Sequence, residues 1–217
     1  MKLNVDWTYI THWCKLVDRK KALINELSVN GIENYDWVES YNTDDWNIND
    51  IKNEYPLIFD YNPSIKRNLR HAEISLVLKH IEIIKNIIKN NYNSVLVLED
   101  DVKFVDNFTE KFNEYIKELP DNWDICWVGS CCNLHANIIE GKHIYRENGS
   151  RCTHAFIISL NGANKILSEL KYVNDCSDWF YNKVIEKFNL NNFWMEPSLI
   201  HQNRNFQSSL GHSSLYI

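Results

Sequence analysis

The sequence predicts an α/β fold around a central, mostly parallel sheet, and three observations carry that prediction. The run Ser94–Phe104, SVLVLEDDVKF, holds four consecutive apolar residues, too short for a helix and β-branched enough for a strand buried on both faces. The chain opens strand–helix–strand, the βαβ arrangement that requires a parallel pair. Further apolar runs then alternate with helical patterns almost to the C-terminus. With 217 residues, 44 % hydrophobic and 24 % charged, one domain over 1–217 can bury a substantial core.

Val5 to Thr11 reads as the first strand. A helical pattern starts at Asp18 with Leu23, Ile24, Leu27 and Val29 on its apolar side, and Asn30-Gly31 stops it. Tyr35 to Ser40 is the second strand. Tyr41 to Asn62, rich in Asn and Asp, reads as a long surface segment with room for a short helix. Pro63-Ser64 opens the longest helix, with Ser64 as its N-cap, and Leu76, Val77, His80, Ile81, Ile84, Ile87 and Ile88 give its apolar stripe to about Asn91.

After the acidic strand, Asp106 caps a helix carrying Phe108, Phe112, Tyr115, Ile116 and Leu119, which Pro120 ends. Trp123–Val128 is a strand stopped by Gly129, Ile144-Tyr145 a short one, and Thr153–Ser159 a stronger one. Helices follow around Ala163–Leu170 and from Asp178 to Phe188, and the tail keeps short apolar pieces around Phe193 and Leu199.

A net charge of −6 argues against general nucleic-acid binding, which needs a basic face. No run reaches transmembrane length, and the polar N-terminus lacks the apolar core of a signal peptide. These features lead to the expectation of a cytoplasmic protein whose six cysteines are free thiols, since their spacing matches no zinc pattern.

Glu99, Asp100 and Asp101 close the apolar strand. Three adjacent carboxylates repel one another, and a hard divalent ion such as Mg²⁺ or Mn²⁺ would relieve that repulsion. Ligands of open α/β sheets bind beyond the carboxyl ends of strands, where this cluster falls. The plain alternative is a solvated turn. Lys66, Arg67, Arg70 and His71 form the densest basic cluster, suited to a phosphate at a helix N-terminus or to a solvated face. His80 on an apolar stripe reads as a hydrogen-bonded core residue, and His154 as a structural one within its strand.

Taken in order, ITHWCKLVDRKKAL, EISLVLKH, LVLEDDVKF, WDICWVG, THAFIIS with Gly162-Ala163, EPSLIHQ and Gln207-Ser208-Ser209 resemble the motifs of glycosyltransferase family 25, which includes bacterial lipooligosaccharide galactosyltransferases and collagen glycosyltransferases. Glu73, Ile74, Leu78 and His80 keep the family's residue types. Ser75, Leu76 and Lys79 replace its usual Gly, Cys and Ser.

The resemblance implies a GT-A (Rossmann-like) fold, a UDP-sugar donor of galactose or glucose, Mn²⁺ or Mg²⁺, and a glycan or protein acceptor. It makes Glu99 and Asp101 the metal residues and Asp100 a sugar or ribose contact, with Arg19, Arg70 and Glu73 also on the donor. Inversion requires a base, for which Asp178 aligns best and Asp175 competes, helix capping being the alternative for both. His201, with His212 equally available, stands as a third metal residue. Two other readings compete with transfer: a binding or scaffold protein without turnover, and a phosphoryl-transfer enzyme, which lacks a glycine-rich phosphate loop.

Overall fold

The computed structural model describes residues 2–45, 47–55, 67–131, 134–168 and 175–206. Its elements are β1 (Trp7–Thr11), α1 (Val17–Val29), β2 (Tyr35–Val38), α2 (Ile48–Glu54), α3 (His71–Asn90), β3 (Ser94–Glu99), β4 (Val102–Phe104), α4 (Phe108–Tyr115), β5 (Ile125–Trp127), β6 (Ile144–Arg146), β7 (Ala155–Ser159), α5 (Leu160–Leu167), α6 (Ser177–Phe188), β8 (Asn192–Met195) and β9 (Ile200–Gln202).

Seven strands form one sheet in the order β2-β1-β3-β7-β5-β8-β6, and β4 pairs with β9 in a separate ribbon. The sheet is mixed rather than mostly parallel. β1 is parallel to β2 and β3, and β5 to β8, but β7 runs antiparallel to both β3 and β5, and β6 antiparallel to β8. All five residues of β7 are buried. A strand covered on both faces has no polar side to show its direction, so AFIIS reads alike either way.

Alternation along the central strands divides the core into two layers. Val95, Val97, Phe156, Ile158, Ile125 and Trp127 pack with α3, α5 and α6 on one face. Leu96, Leu98, Ile157, Cys126 and Val128 pack with α1 and α4 on the other. A Cβ at Gly129 would collide with the imidazole of His154, and one at Gly162 with the carbonyl of Asp124. Both positions therefore need glycine for close approach.

Several boundaries differ from the sequence expectation. The long helix begins at His71 instead of Ser64, because Arg70 is extended and the Glu73 carboxylate accepts the Arg70 backbone N–H at 2.7 Å. Ser64, Lys66, His212 and residues 207–209 lie outside the described residues. Asn107 in the left-handed conformation, not Asp106, precedes α4. On α1 the buried residues are Arg19, Leu23 and Leu27, while Ile24 and Val29 face solvent.

The expectation of six free thiols fails at one pair. Cys131 and Cys152 are disulfide-bonded with Cα atoms 6.1 Å apart, whereas Cys14, Cys126 and Cys176 are free. Spacing could not show this, because the approach of residue 152 to Cys131 is a tertiary feature. Peptide mapping without reductant is expected to recover Cys131 and Cys152 on cross-linked peptides, and full alkylation of both in untreated protein would refute the bond. With 21 residues separating them, reduction is expected to lower stability by about 3 kcal/mol.

His80 and His154, both buried, behave as core residues. His80 stacks on Phe156, lies edge-on to Tyr181, and shares a 3.3 Å hydrogen bond with the Tyr181 hydroxyl. Burial lowers its pKa from 6.5 to about 3, and that of His154 to about 4. Between these values and 6.5 the unfolded chain binds protons that the folded chain refuses. Stability is therefore full above pH ~6.5 and falls as the medium is acidified, by up to about 1.4 kcal/mol per pH unit for each imidazole. Chemical denaturation at stepped pH checks this, with His80→Phe expected to flatten the slope. An unchanged slope in that variant would refute the assignment.

Candidate functional site

Register builds the site. Thr11 is paired with Glu99 across the parallel β1–β3 ladder, so the two strands end side by side and His12 falls next to Asp100. β7 enters from the opposite direction, which brings its leading residues to the same edge. The Glu99 backbone N–H donates to the His154 carbonyl at 2.9 Å. The β4–β9 ribbon closes the far side, with the Asn203 N–H on the carbonyl of Asp101.

The three carboxylates have different surroundings. Asp100 is buried and engaged through both oxygens: Oδ2 is 2.7 Å from His12 Nδ1, and Oδ1 accepts from Arg19 at 2.8 Å. Arg19 also donates to Asp101 Oδ2 at 3.2 Å. The other Asp101 oxygen, Oδ1, is buried with no hydrogen-bond partner among the described residues. One oxygen of Glu99, Oε1, accepts from the Thr153 hydroxyl at 2.7 Å.

Burial, then the nearby Asp101, then Asp100 and Asp178 raise the Glu99 carboxyl above the ordinary carboxylate range, against the opposing Thr153 hydrogen bond. Burial and Asp100 likewise raise Asp101, against the opposing pull of Arg19. Two adjacent acids that resist ionising together, one with an unused buried oxygen, fit a hard cation. Among the described residues no group of three or more His, Cys, Asp or Glu could hold a metal ion. A cation here would rely on Glu99 and Asp101, with water and substrate phosphate oxygens completing its shell, the usual mode of Mg²⁺-type sites.

α6 faces this pair. Its N-cap is Cys176, so neither Asp175 nor Asp178 caps it. Asp178 lies in the first turn, with Oδ1 accepting from the Trp179 N–H at 3.0 Å and the Cys176 thiol at 3.1 Å. It is close enough for its charge to act on Glu99. Asp175 is buried and ion-paired with Lys183.

Glu73 and Arg70 sit at the start of α3. Both Glu73 oxygens are held by the Arg67 guanidinium, at 2.8 and 2.6 Å, and the Arg70 N–H adds a third bond. Burial alone would raise this carboxyl, but those partners hold it below the ordinary value. Arg67 of the basic cluster is thus committed to an internal ion pair. Arg19 is committed to Asp100 and Asp101. His201 lies exposed on the ribbon opposite Lys103.

Sequence reasoning missed His12, Thr153 and Ser177. The only sequence signal for them was position: His12 follows a strand end, and Thr153 opens THAFIIS. Arg19 carried a clearer sign, since it precedes Leu23 and Leu27 at the four-residue spacing of the buried stripe. Two of the atypical residues of α3 serve the loop after β2. Ser75 donates to the Tyr41 carbonyl at 2.6 Å, and Lys79, whose pKa burial lowers to about 8, donates to Asn42 at 3.0 Å and to the His12 carbonyl.

A seven-stranded mixed sheet between helical layers, with acids at a central strand end, is the fold of a GT-A-like glycosyltransferase. A solved glycosyltransferase involved in the glycosylation of the major capsid of PBCV-1 superposes with a TM-score of 0.50 at 10 % identity, covering 90 % of this chain and 92 % of that one. The family follows from sequence: the model for glycosyltransferase family 25 (LPS biosynthesis protein) matches residues 8–181, and the chain belongs to that family. Human procollagen galactosyltransferase 2 is 26 % identical over 166 residues, 64 % of this chain and 25 % of that protein. The Bos taurus protein named probable inactive glycosyltransferase 25 family member 3 is 29 % identical over 112 residues, 49 % of this chain and 19 % of its own length. The chain therefore spans about a fifth to a quarter of these two curated relatives. No helix among the described residues is long and apolar enough to cross a membrane.

Proposed function

We propose that the protein transfers a hexose, galactose or glucose, from a UDP-sugar to an acceptor hydroxyl on a glycan or protein, with inversion and with the help of Mn²⁺ or Mg²⁺. The observation that carries this reading is the Glu99–Asp101 pair with its unpartnered oxygen, facing Asp178, in a chain of glycosyltransferase family 25.

Glu99 and Asp101 would hold the cation, which when bound neutralises charge on the departing diphosphate. Among the described residues His201 does not complete a group of three with them, and the reading proposed here relies on the two acids alone. Asp100, clamped by His12 and Arg19, would keep the turn between the two acids in shape. Asp178 would accept the proton of the attacking hydroxyl as the reacting sugar carbon develops oxocarbenium character. Asp175 is a poorer base because Lys183 already occupies it.

Titration calorimetry of UDP with Mn²⁺ and with chelator tests the reading, alongside donor hydrolysis with and without acceptor. Equal affinity in both conditions would overturn the metal role. A second reading, nucleotide-sugar binding without turnover, is favoured by similarity to the relative named as inactive. Metal-dependent UDP binding with no hydrolysis or transfer over a panel of UDP-hexoses would select it.

A further inference from the structure

The Thr153 hydroxyl lies between two groups from different elements. It is 2.7 Å from Glu99 Oε1 at the end of β3 and 2.8 Å from Ser177 Oγ in the first turn of α6. A hydroxyl has one proton to donate. Thr153 donates that proton to Glu99, so Ser177 must donate to Thr153. The direction of this chain is fixed by the carboxylate at its end.

We infer that Thr153 is a positioning residue, whose hydroxyl clamps Glu99 to the α6 turn and so sets the metal acids at a fixed place relative to Asp178. The inference rests on the glycosyltransferase reading above. Thr153 is buried, and its β-branch restricts the rotamer that reaches Glu99. With Oε1 held, the other Glu99 oxygen is left to face a ligand. Asp178 follows Ser177 directly, so the same clamp fixes the turn that carries it.

The backbone around Thr153 is anchored independently of this hydroxyl. Cys152 is tied to Cys131. Arg151, fully buried, pairs with Glu196 at 2.9 Å and donates to the Met195 carbonyl at 3.0 Å and to Ser198 at 3.1 Å. Removing the hydroxyl therefore changes the clamp and leaves the segment in place.

The test is the pair Thr153→Val, which keeps the shape and removes the hydroxyl, and Thr153→Ser, which keeps the hydroxyl. Mn²⁺ affinity in the presence of UDP is read by the EPR signal of free Mn²⁺, with melting temperature as the folding control. Thr153→Val is expected to bind Mn²⁺ about 10–100-fold more weakly, the usual effect of losing a group that orients a ligand, and Thr153→Ser to restore most of it. Wild-type affinity in folded Thr153→Val would overturn the inference. So would Thr153→Ser binding as weakly as Thr153→Val.

Should Thr153→Val not fold, Ser177→Ala decides. It frees α6 while leaving Glu99 bonded to Thr153, so kcat is expected to fall about 10-fold with Mn²⁺ affinity retained. No change in kcat would overturn the clamp. A wild-type protein that binds no Mn²⁺ with UDP would instead overturn the functional reading itself.

Discussion

Asp178→Asn is expected to reduce transfer to the acceptor by about 10²–10⁴-fold, the scale of a lost general base. The substitution is nearly isosteric. Cys176 occupies the N-cap position of α6, and Asn at 178 still offers an oxygen to the Trp179 N–H. What it loses is an acidic charge near the positive end of the helix, with an effect of about 0.3–1 kcal/mol. UDP affinity and folding are expected to survive, which separates this variant from one that damages the site as a whole. Rates with saturating donor and varied acceptor, together with calorimetry of UDP and Mn²⁺, make the comparison. Transfer near the wild-type rate would eliminate Asp178 as the base. Asp175 would not inherit the role easily, since its burial beside Lys183 means that Asp175→Asn disturbs a structural ion pair.

Asp101→Asn is expected to fail in a different way. It replaces a charged oxygen with a neutral amide at the one acid among the described residues that has a buried, unpartnered oxygen. Changes beyond the direct ligands already weaken metal binding about 10–100-fold, so loss of a ligand charge should weaken Mn²⁺-dependent UDP binding by at least roughly 100-fold. Turnover should fall with it.

The same variant carries an opposite signature in metal-free protein. The Asp101 charge raises the proton affinity of buried Glu99, and removing that charge relieves a repulsion that folding imposes. Arg19 keeps its bond to Asp100, so its guanidinium is not stranded. The metal-free melting temperature should therefore hold or rise, a common trade between stability and a functional site. A variant that melts lower and binds UDP with undiminished Mn²⁺ dependence would show that Asp101 serves the fold instead.

Much of this was legible in the residues. VLVLEDD announced both a buried strand and its acidic end, because apolar runs and adjacent charges obey short-range rules. The helix of Ile74 to Ile87 announced its face through periodicity, and the ordered motifs announced the family. The basic cluster before α3 marks the limit of such short-range rules. Local sequence shows Arg67 and Glu73 as separate charges, and only folding shows them joined as an ion pair.

The sequence by itself determined which segments are apolar, where the carboxylates interrupt them, and which family the chain resembles. These properties depend on neighbours in the chain. The tertiary structure alone decided the direction of β7, the pairing of Cys131 with Cys152, and the different fates of three adjacent acids. Had β7 run parallel to β3, Thr153 would lie at the opposite edge of the sheet. Because it runs antiparallel, Thr153 meets Glu99, and α6 is drawn to the same end. A strand buried on both faces carries no mark of its direction, and a carboxylate carries no mark of its eventual partner. Those choices belong to contacts between residues far apart in the chain.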